Sequence, residues 1–329
     1  MNLRHELWYT EGMLFHFLLA FLFVLLSCKQ NPCSFDTLKN PEGKIKILAT
    51  TAMIDDIVGE IGKERIWHTT LIQGEIDPHS YELVKGDDEK FNLADVVFYN
   101  GLGLEHGASL RYQLKHHANS IPLGEKIYEK TPDIILMKNG QFDPHIWMDV
   151  SIWSKIIDPI VKALSKIDPA NASYFEINGE KLKNEMTKID LEIFTQLSNI
   201  PAAKRYLVTS HDAFKYFTRR YLKEPHEENW GDRFRAPEGL APDGQLSCAD
   251  IQDIIDHLCH YHIAVVFSES NVSKDSLKKI VSACHEKGLM VRIASKTLYA
   301  DALGGKNSDA ETYLKMIQCN VKVLIDEWK

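Results

Sequence analysis

Two short segments place a histidine in the same local setting. Asp77-Pro78-His79 is followed by Tyr81-Glu82, and Asp143-Pro144-His145 is followed by Trp147 and Asp149. Proline fixes its own φ and holds the preceding residue extended, so each histidine leaves a stiffened loop. A stiff loop preorganises an imidazole for coordination, and the pattern therefore predicts that His79 and His145 are metal ligands.

A third histidine, His211, lies in Thr209-Ser210-His211-Asp212-Ala213-Phe214, where a predicted strand gives way to a helix. In open α/β sheets, ligands bind at the carboxyl ends of strands. The carboxylates Asp77, Asp143 and Asp212 lie beside the three histidines and are candidates to accept hydrogen bonds from them. Their alternative role is to cap turns by accepting backbone N–H groups.

The other histidines lack such loops. His116 and His117 fall in a polar helix, and the cluster of His257, His260 and His262 near Cys259 is typical of a solvated helix surface. The chain contains no H-E-x-x-H pair with a general base between two ligands. We therefore expect no enzyme, and a metallohydrolase is the disfavoured alternative.

The elements that would position these histidines form an α/β fold with parallel sheets covered by helices, because β-branched runs alternate with amphipathic stretches. Between two groups of strands, residues 168–200 predict one long helix of about 45 Å, with Asp168 as N-cap, Pro169 at the first position and Gly179 as an interior weakness. This helix would link lobes 45–167 and 201–329. The strands are predicted at Ile45–Thr51, His68–Gln73, Val96–Tyr99, Tyr206–Thr209, Val265–Ser268 and Val291–Ala294.

The N-terminus predicts export. Residues 13–26 form an apolar run of the length of a signal h-region, and Leu25-Leu26-Ser27-Cys28 resembles a lipobox. We expect a signal over residues 1–28, lipid on Cys28, a polar tether over 29–44 and a membrane-anchored protein in the periplasm or another extracytoplasmic space. A plain cleaved signal and a buried apolar helix are the alternatives.

Composition excludes other classes of protein. A net charge of -8 gives no basic surface for nucleic acid. No C-x-x-C occurs, which disfavours a cysteine zinc ribbon or a thioredoxin-type redox site. In an oxidising compartment a disulfide could form among four cysteines, and the sequence leaves its pairing open: Cys248, Cys259, Cys284 and Cys319.

From Ile45 to its C-terminus, the chain resembles the metal-binding lipoproteins of bacterial zinc, manganese and iron ABC importers (the cluster A-I family), most of all the chlamydial members. The resemblance implies two α/β lobes related by a pseudo-twofold, with the metal held in the cleft between them. Besides the histidine segments, it is carried by Asn100 to Glu105, Pro237 to Leu240, Leu298 to Gly304, Thr312-Tyr313 and Met316 to Asn320.

The resemblance further implies the ligand set His79, His145, His211 and Asp301, and a monomer that delivers one divalent manganese, zinc or iron ion to a permease and its ATPase. If His211 is not a ligand, Glu269 or Asp212 would replace it. Residues 118–144 contain no histidine, so a zinc-gathering loop is absent, yet three imidazoles favour zinc over manganese in vitro. A surface adhesin is the alternative function. One departure from the family, His226 to Arg235, is expected to be a surface loop.

Overall fold

The computed structural model describes residues 43–242 and 247–329. The predicted signal, Cys28 and the tether up to residue 42 lie outside these ranges. The first sheet is parallel and has the strand order β2-β1-β3-β4. Its strands are β1 (Ile45–Ala49), β2 (Ile66–Thr70), β3 (Val96–Tyr99) and β4 (Ser120–Pro122). The helices of this region are α1 (Ala52–Gly62), α2 (Asp87–Leu93), α3 (Ala108–His116) and α4 (Leu123–Lys130).

A second set of short parallel strands repeats this order. β7 pairs with β8 and β9 with β10, and the Phe267 N–H donates to the Val208 carbonyl at 2.8 Å, which joins the two pairs in the order β8-β7-β9-β10. Between the two sets lies an antiparallel hairpin. The strands are β5 (Met137–Lys138), β6 (Gln141–Phe142), β7 (Leu207–Val208), β8 (Phe234–Arg235), β9 (Val265–Val266) and β10 (Arg292–Ile293).

The remaining helices cover the sheets and connect them. None of the helices within residues 43–242 and 247–329 has both the length and the apolarity to cross a bilayer. They are α5 (Val150–Trp153), α6 (Ile157–Ile167), α7 (Ala172–Ser198), α8 (Lys215–Phe217, continued by a π-helical turn over Thr218–Leu222), α9 (Cys248–His260), α10 (Asp275–Glu286) and α11 (Tyr313–Trp328).

The long helix predicted between the two groups of strands is α7, which spans 27 residues or about 40 Å. It begins at Ala172 because Pro169–Asn171 forms a 3-10 turn. The Asp168 carboxylate accepts a hydrogen bond from the Asn171 side chain and caps no backbone N–H. Gly179 has a packing role in this helix. A Cβ there would lie 2.8 Å from a Val161 methyl group, so glycine lets α6 pack closely against α7.

The hydrophobic core joins the two sets of strands. One buried cluster runs from β1 through α7 to α11 and contains the ring contacts of Trp147, Trp153 and Tyr313. Two smaller clusters fill the space between each sheet and its outer helices. The expected α/β fold, with parallel sheets covered by helices and one long helix, is confirmed.

Two expectations need correction, the role of the stretch His226 to Arg235 and the number of strands. The stretch His226 to Arg235 is more than a surface loop, because its end forms β8, the parallel partner of β7. Strand β4 escaped the sequence pattern because it is a three-residue edge strand that contains Pro122, and β8 escaped it because it is only two residues long. In the described part of the chain, the four cysteines from Cys248 to Cys319 are free thiols.

Candidate metal centre

Four side chains converge between the two sets of strands: His79, His145, His211 and Asp301. One potential ligand atom from each lies within 4.8 Å of the others. The Nε2 atoms of His79 and His145 are 3.2 Å apart, and the Nε2 of His211 lies 3.1 Å from Asp301 Oδ2. All four residues are at most 3% exposed. The arrangement is a compact, buried set of three nitrogens and one carboxylate.

Each of the four residues lies on a loop at the end of an element. His79 follows β2, and His145 begins a 3-10 turn over Ile146–Met148. His211 lies between β7 and α8, and Asp301 follows β10. The carboxyl ends of the parallel strands lead into the loops of His79, His211 and Asp301, whereas His145 lies on the loop after the β5–β6 hairpin.

The aspartates of the two Asp-Pro-His segments have different roles. The Oδ1 of Asp77 accepts from the His79 backbone N–H at 2.8 Å and its Oδ2 from the Ser80 hydroxyl at 2.7 Å, so it caps a turn. The Oδ1 of Asp143 accepts from the His145 backbone N–H at 3.1 Å and lies 2.8 Å from Nδ1 of the same ring. Asp143 therefore orients His145 and leaves its Nε2 free for a ligand.

The aromatic and acidic residues after His79 anchor its loop. The Tyr81 hydroxyl donates to Asp87 Oδ2 at 2.8 Å. The Glu82 carboxylate accepts from the Ala108 and Ser109 backbone N–H groups at 2.6 and 2.7 Å, at the start of α3. This ties the His79 loop to the loop that follows β3.

The matching residues after His145 do the same by other contacts. The Trp147 indole N–H donates to the Ala300 carbonyl at 2.7 Å, next to Asp301. Asp149 accepts from the Ser151 backbone N–H at 2.9 Å and caps α5. The repeated sequence pattern thus reflects two loops that must both be held rigid.

His211 has an orienting partner that sequence analysis did not assign. Glu269 accepts from the Ser210 and His211 backbone N–H groups at 2.9 and 3.0 Å, and its second oxygen contacts His211 Nδ1. Asn271 donates to Asp301 Oδ2 at 3.2 Å. Glu269 directly follows the predicted strand Val265–Ser268, so the strand-end rule that marks His211 also marks this position.

Asp212, expected beside a ligand histidine, accepts instead from two lysines. Its Oδ2 lies 2.6 Å from Lys138 Nζ and 3.0 Å from Lys215 Nζ. The ion pairs occupy this carboxylate because the β5–β6 hairpin carries Lys138 across to it. The structure therefore brings Asp143, but not Asp212, to a histidine ring.

The electrostatics of the site favour a cation. Burial lowers the pKa of His79 well below its ordinary value. Burial also opposes protonation of His211, but the charges of Glu269 and Asp301 outweigh it and raise the pKa of that ring. For Asp301, burial is outweighed by the neighbouring histidines, which lower its pKa. A buried carboxylate among imidazoles is stabilised by positive charge at their centre.

The donor set fits a first-row transition metal. The Oδ1 of Asp301 is buried without a hydrogen-bond partner, which is costly unless another group, such as a cation, satisfies it. Three imidazoles and one carboxylate are ligands that zinc, iron and manganese accept. Among residues 43–242 and 247–329, this is the one group of three or more side chains close enough to hold an ion.

The histidine cluster on α9 has no such arrangement in the described chain. Burial lowers the pKa of His257 to about 4, and its ring packs against Tyr261. On α3, His116 stacks on Tyr112 with ring centroids 4.1 Å apart. His116 is exposed, as expected for a polar helix, whereas His257 is buried and so departs from the expected solvated surface.

Comparison with known proteins identifies the family. Residues 47–327 match the family of the zinc-uptake complex component A, periplasmic. The chain belongs to this family. Metal-binding protein YtgA of Chlamydia muridarum is 38% identical over 312 residues, which cover 94% of this chain and 92% of that protein. The manganese ABC transporter substrate-binding lipoprotein PsaA of Streptococcus pneumoniae is 27% identical over 315 residues, which cover 93% and 95%.

A solved structure shows the same fold. The crystal structure of Fe(III)-bound YtgA from Chlamydia trachomatis superposes with a TM-score of 0.81 at 37% identity, covering 87% of this chain and 98% of that one. The expectations of a metal-binding component of an ABC importer, and of a binding protein that is not an enzyme, are confirmed. The resemblance to chlamydial members is confirmed as well.

Proposed function

We propose that this chain captures one divalent first-row transition metal ion with His79, His145, His211 and Asp301 and delivers it to an ABC permease. The observation that carries the proposal is the convergence of four buried ligand atoms within 4.8 Å. Three neutral imidazoles and a carboxylate, with every ligand residue buried, suit a closed site for carriage. The iron, manganese and zinc in the descriptions of relatives agree with such cargo.

Metal analysis and calorimetry test this function. Metal-free protein titrated with zinc, manganese and iron(II) should bind one ion per chain and release protons, because imidazoles must be deprotonated to coordinate. Affinity should fall as the pH is lowered, because protons compete with the metal for the ring nitrogens, above all for that of His211, whose pKa is raised by Glu269 and Asp301. Binding with unchanged affinity in a variant that combines His79→Ala and His145→Ala would refute the site.

The identity of the preferred metal follows from the donor atoms. Three nitrogens and one carboxylate should hold zinc more tightly than manganese in vitro, by the usual order of affinities. Replacing His211 by Glu exchanges a nitrogen for a hard oxygen and should lower the ratio of zinc affinity to manganese affinity. Competition titrations of both proteins decide this, and an unchanged ratio would place His211 outside the coordination sphere.

The setting of this function is extracytoplasmic, as the family description and PsaA's name indicate for relatives. We infer from Ser27-Cys28 that a lipid on Cys28 holds the protein at the membrane. From the resemblance to importer components we infer that it acts there as a monomer, beside the permease and its ATPase. Labelling cells with a radioactive fatty acid tests the anchor. Cys28→Ala should abolish incorporation, whereas Cys33→Ala, five residues further along the tether, should retain it.

A further inference from the structure

A cleft of about 750 Å³ opens beside the four converging side chains. Of these four, His79 is the residue that lines the cleft, together with His106, Glu125, Lys138, Phe142 and Leu240. His145, His211 and Asp301 lie behind it and are buried. An ion that enters through this cleft therefore meets His79 before the other ligands, and passes the His106 ring on the way.

The His106 ring is suited to bind metal. It is half-buried, and its centroid lies 5.6 Å from that of His79. Its Nδ1 lies 3.4 Å from the Gly103 carbonyl oxygen, to which it can donate. That tautomer leaves the lone pair on Nε2, as in ligand histidines whose other nitrogen donates to a carbonyl.

The backbone holds His106 against His79. The Gly107 N–H donates to the His79 carbonyl at 3.1 Å. A Cβ on Gly107 would lie 2.0 Å from the Tyr81 carbonyl oxygen, so only glycine permits this approach. The adjacent start of α3 is fixed by the Glu82 carboxylate described above. The loops that carry His79 and His106 are thus held together at the cleft.

We propose that His106 is an entry ligand for the metal. Its Nε2 replaces one water of the incoming hydrated ion, His79 replaces a second, and His106 leaves as the three deeper ligands bind. Release follows the same steps in reverse. The inference rests on the proposed function, because it assigns a kinetic role at the same site.

Stopped-flow measurements of zinc binding to the full chain test this role. His106→Ala should slow association and dissociation together by about tenfold, within the range that binding rates span among variants of one site. The equilibrium affinity and the ratio of one ion per chain should stay as in the wild type. His116→Ala is the matched control, because it removes an exposed histidine at the far end of α3.

Two variants of nearly equal shape, His106→Asp and His106→Asn, separate an effect of metal ligation from an effect of side-chain shape. His106→Asp supplies a ligand oxygen and should restore much of the rate, whereas His106→Asn should not, and high salt removes steering by the added charge. Equal rates for Asp and Asn, or a wild-type rate for His106→Ala, would overturn the inference. Failure of the wild type to bind zinc at all would instead refute the proposed function.

Discussion

The two sets of strands share a strand order and a buried glutamate that holds a loop, but the glutamate holds a different side chain in each set. Each places a buried glutamate just after its third strand, Glu105 after β3 and Glu269 after β9. Glu105 accepts from the Asn100 and Gly101 backbone N–H groups at 2.8 and 3.0 Å, and Glu269 accepts from those of residues 210 and 211. In both regions a carboxylate therefore fixes the loops at the carboxyl edge of the sheet.

The difference lies in the side chain that each glutamate holds. Glu105 accepts from the Thr50 hydroxyl at 2.7 Å, directly after β1. Glu269 contacts the His211 ring, a short loop after β7. The fold supplies an anchored loop at both positions, and the residue type on that loop decides whether the anchor serves stability or metal binding.

Replacing His211 or Thr50, the side chains that the two glutamates contact, by alanine should give the largest difference in zinc affinity. His211→Ala removes a proposed nitrogen ligand, so zinc affinity should fall by more than the 10- to 100-fold that is typical for loss of an outer partner. Thr50→Ala removes a hydrogen bond of about 1 kcal/mol and should lower the free energy of unfolding by about that much, with zinc affinity unchanged. Chelator-competition titrations and urea unfolding measure the two effects. A large loss of affinity in Thr50→Ala would contradict the distinction.

The helix that follows the first strand of each set, α1 or α8, also makes hydrogen bonds to a distant part of the chain. Asp56 on α1 accepts from the Tyr313 N–H at the start of α11 at 3.0 Å. Tyr216 on α8 accepts from the Leu136 N–H and donates to the Asp143 carbonyl, both at 2.9 Å. Burial raises the pKa of Asp56 to about 6, despite the Tyr313 N–H, and raises the pKa of Tyr216 far above the working range.

Only the Asp56 contact should depend on pH. Because the pKa of Asp56 in the folded protein exceeds its ordinary value of 3.8, the folded state holds this proton more tightly than the unfolded chain does. Stability should fall as pH rises from about 4 to 6, by on the order of 3 kcal/mol. Asp56→Asn keeps an acceptor for Tyr313 and should lose this dependence, whereas Tyr216→Phe should keep it. Urea unfolding of metal-free protein at pH 4.5 and 7 measures the slopes, and parallel curves for wild type and Asp56→Asn would exclude a titrating Asp56.

Sequence patterns located three members of the site because their cause is local. The Asp-Pro-His segments stiffen a loop, and His211 lies at a strand end, so both signals are written in adjacent residues. Asp301 has no such local signal, because β10 is two residues long and ends eight positions earlier; family resemblance alone pointed to it.

The orienting partners were less predictable, because they depend on contacts between distant segments. Asp143 and Asp212 both lie within two residues of a converging histidine, yet only Asp143 reaches a ring. The difference comes from Lys138, 74 residues before Asp212 along the chain. Strand number was likewise underestimated where edge strands are short. The parallel sheets and long helix were predictable because their hydrophobic patterns extend over many residues.

Replacing Glu269 or Glu105 by glutamine should have effects of intermediate size, on zinc affinity in the first case and on the free energy of unfolding in the second. Glu269→Gln removes the charge that orients His211, and zinc affinity should fall by about 10- to 100-fold. Glu105 accepts hydrogen bonds from Thr50, Asn100 and Gly101 and not from a converging side chain, so Glu105→Gln should leave affinity unchanged. It should lower the free energy of unfolding by about 1–3 kcal/mol, because an amide group replaces an acceptor among buried N–H donors. Equal losses of affinity in the two variants would show that both act through general stability.

The smallest effect is expected at Asp212, with Asp143 as its matched comparison. Asp143→Asn weakens the partner of His145 Nδ1 and should lower zinc affinity by roughly tenfold, as for other outer partners of ligand histidines. Asp212→Asn disrupts the ion pairs of a buried carboxylate with Lys138 and Lys215 but removes no partner of a histidine ring, so zinc affinity should fall by less than in Asp143→Asn. High salt should reduce that small effect further, because it screens an exposed lysine. Titrations of both variants at low and high salt measure this, and a tenfold, salt-independent loss in Asp212→Asn would mean that Asp212 supports His211 directly.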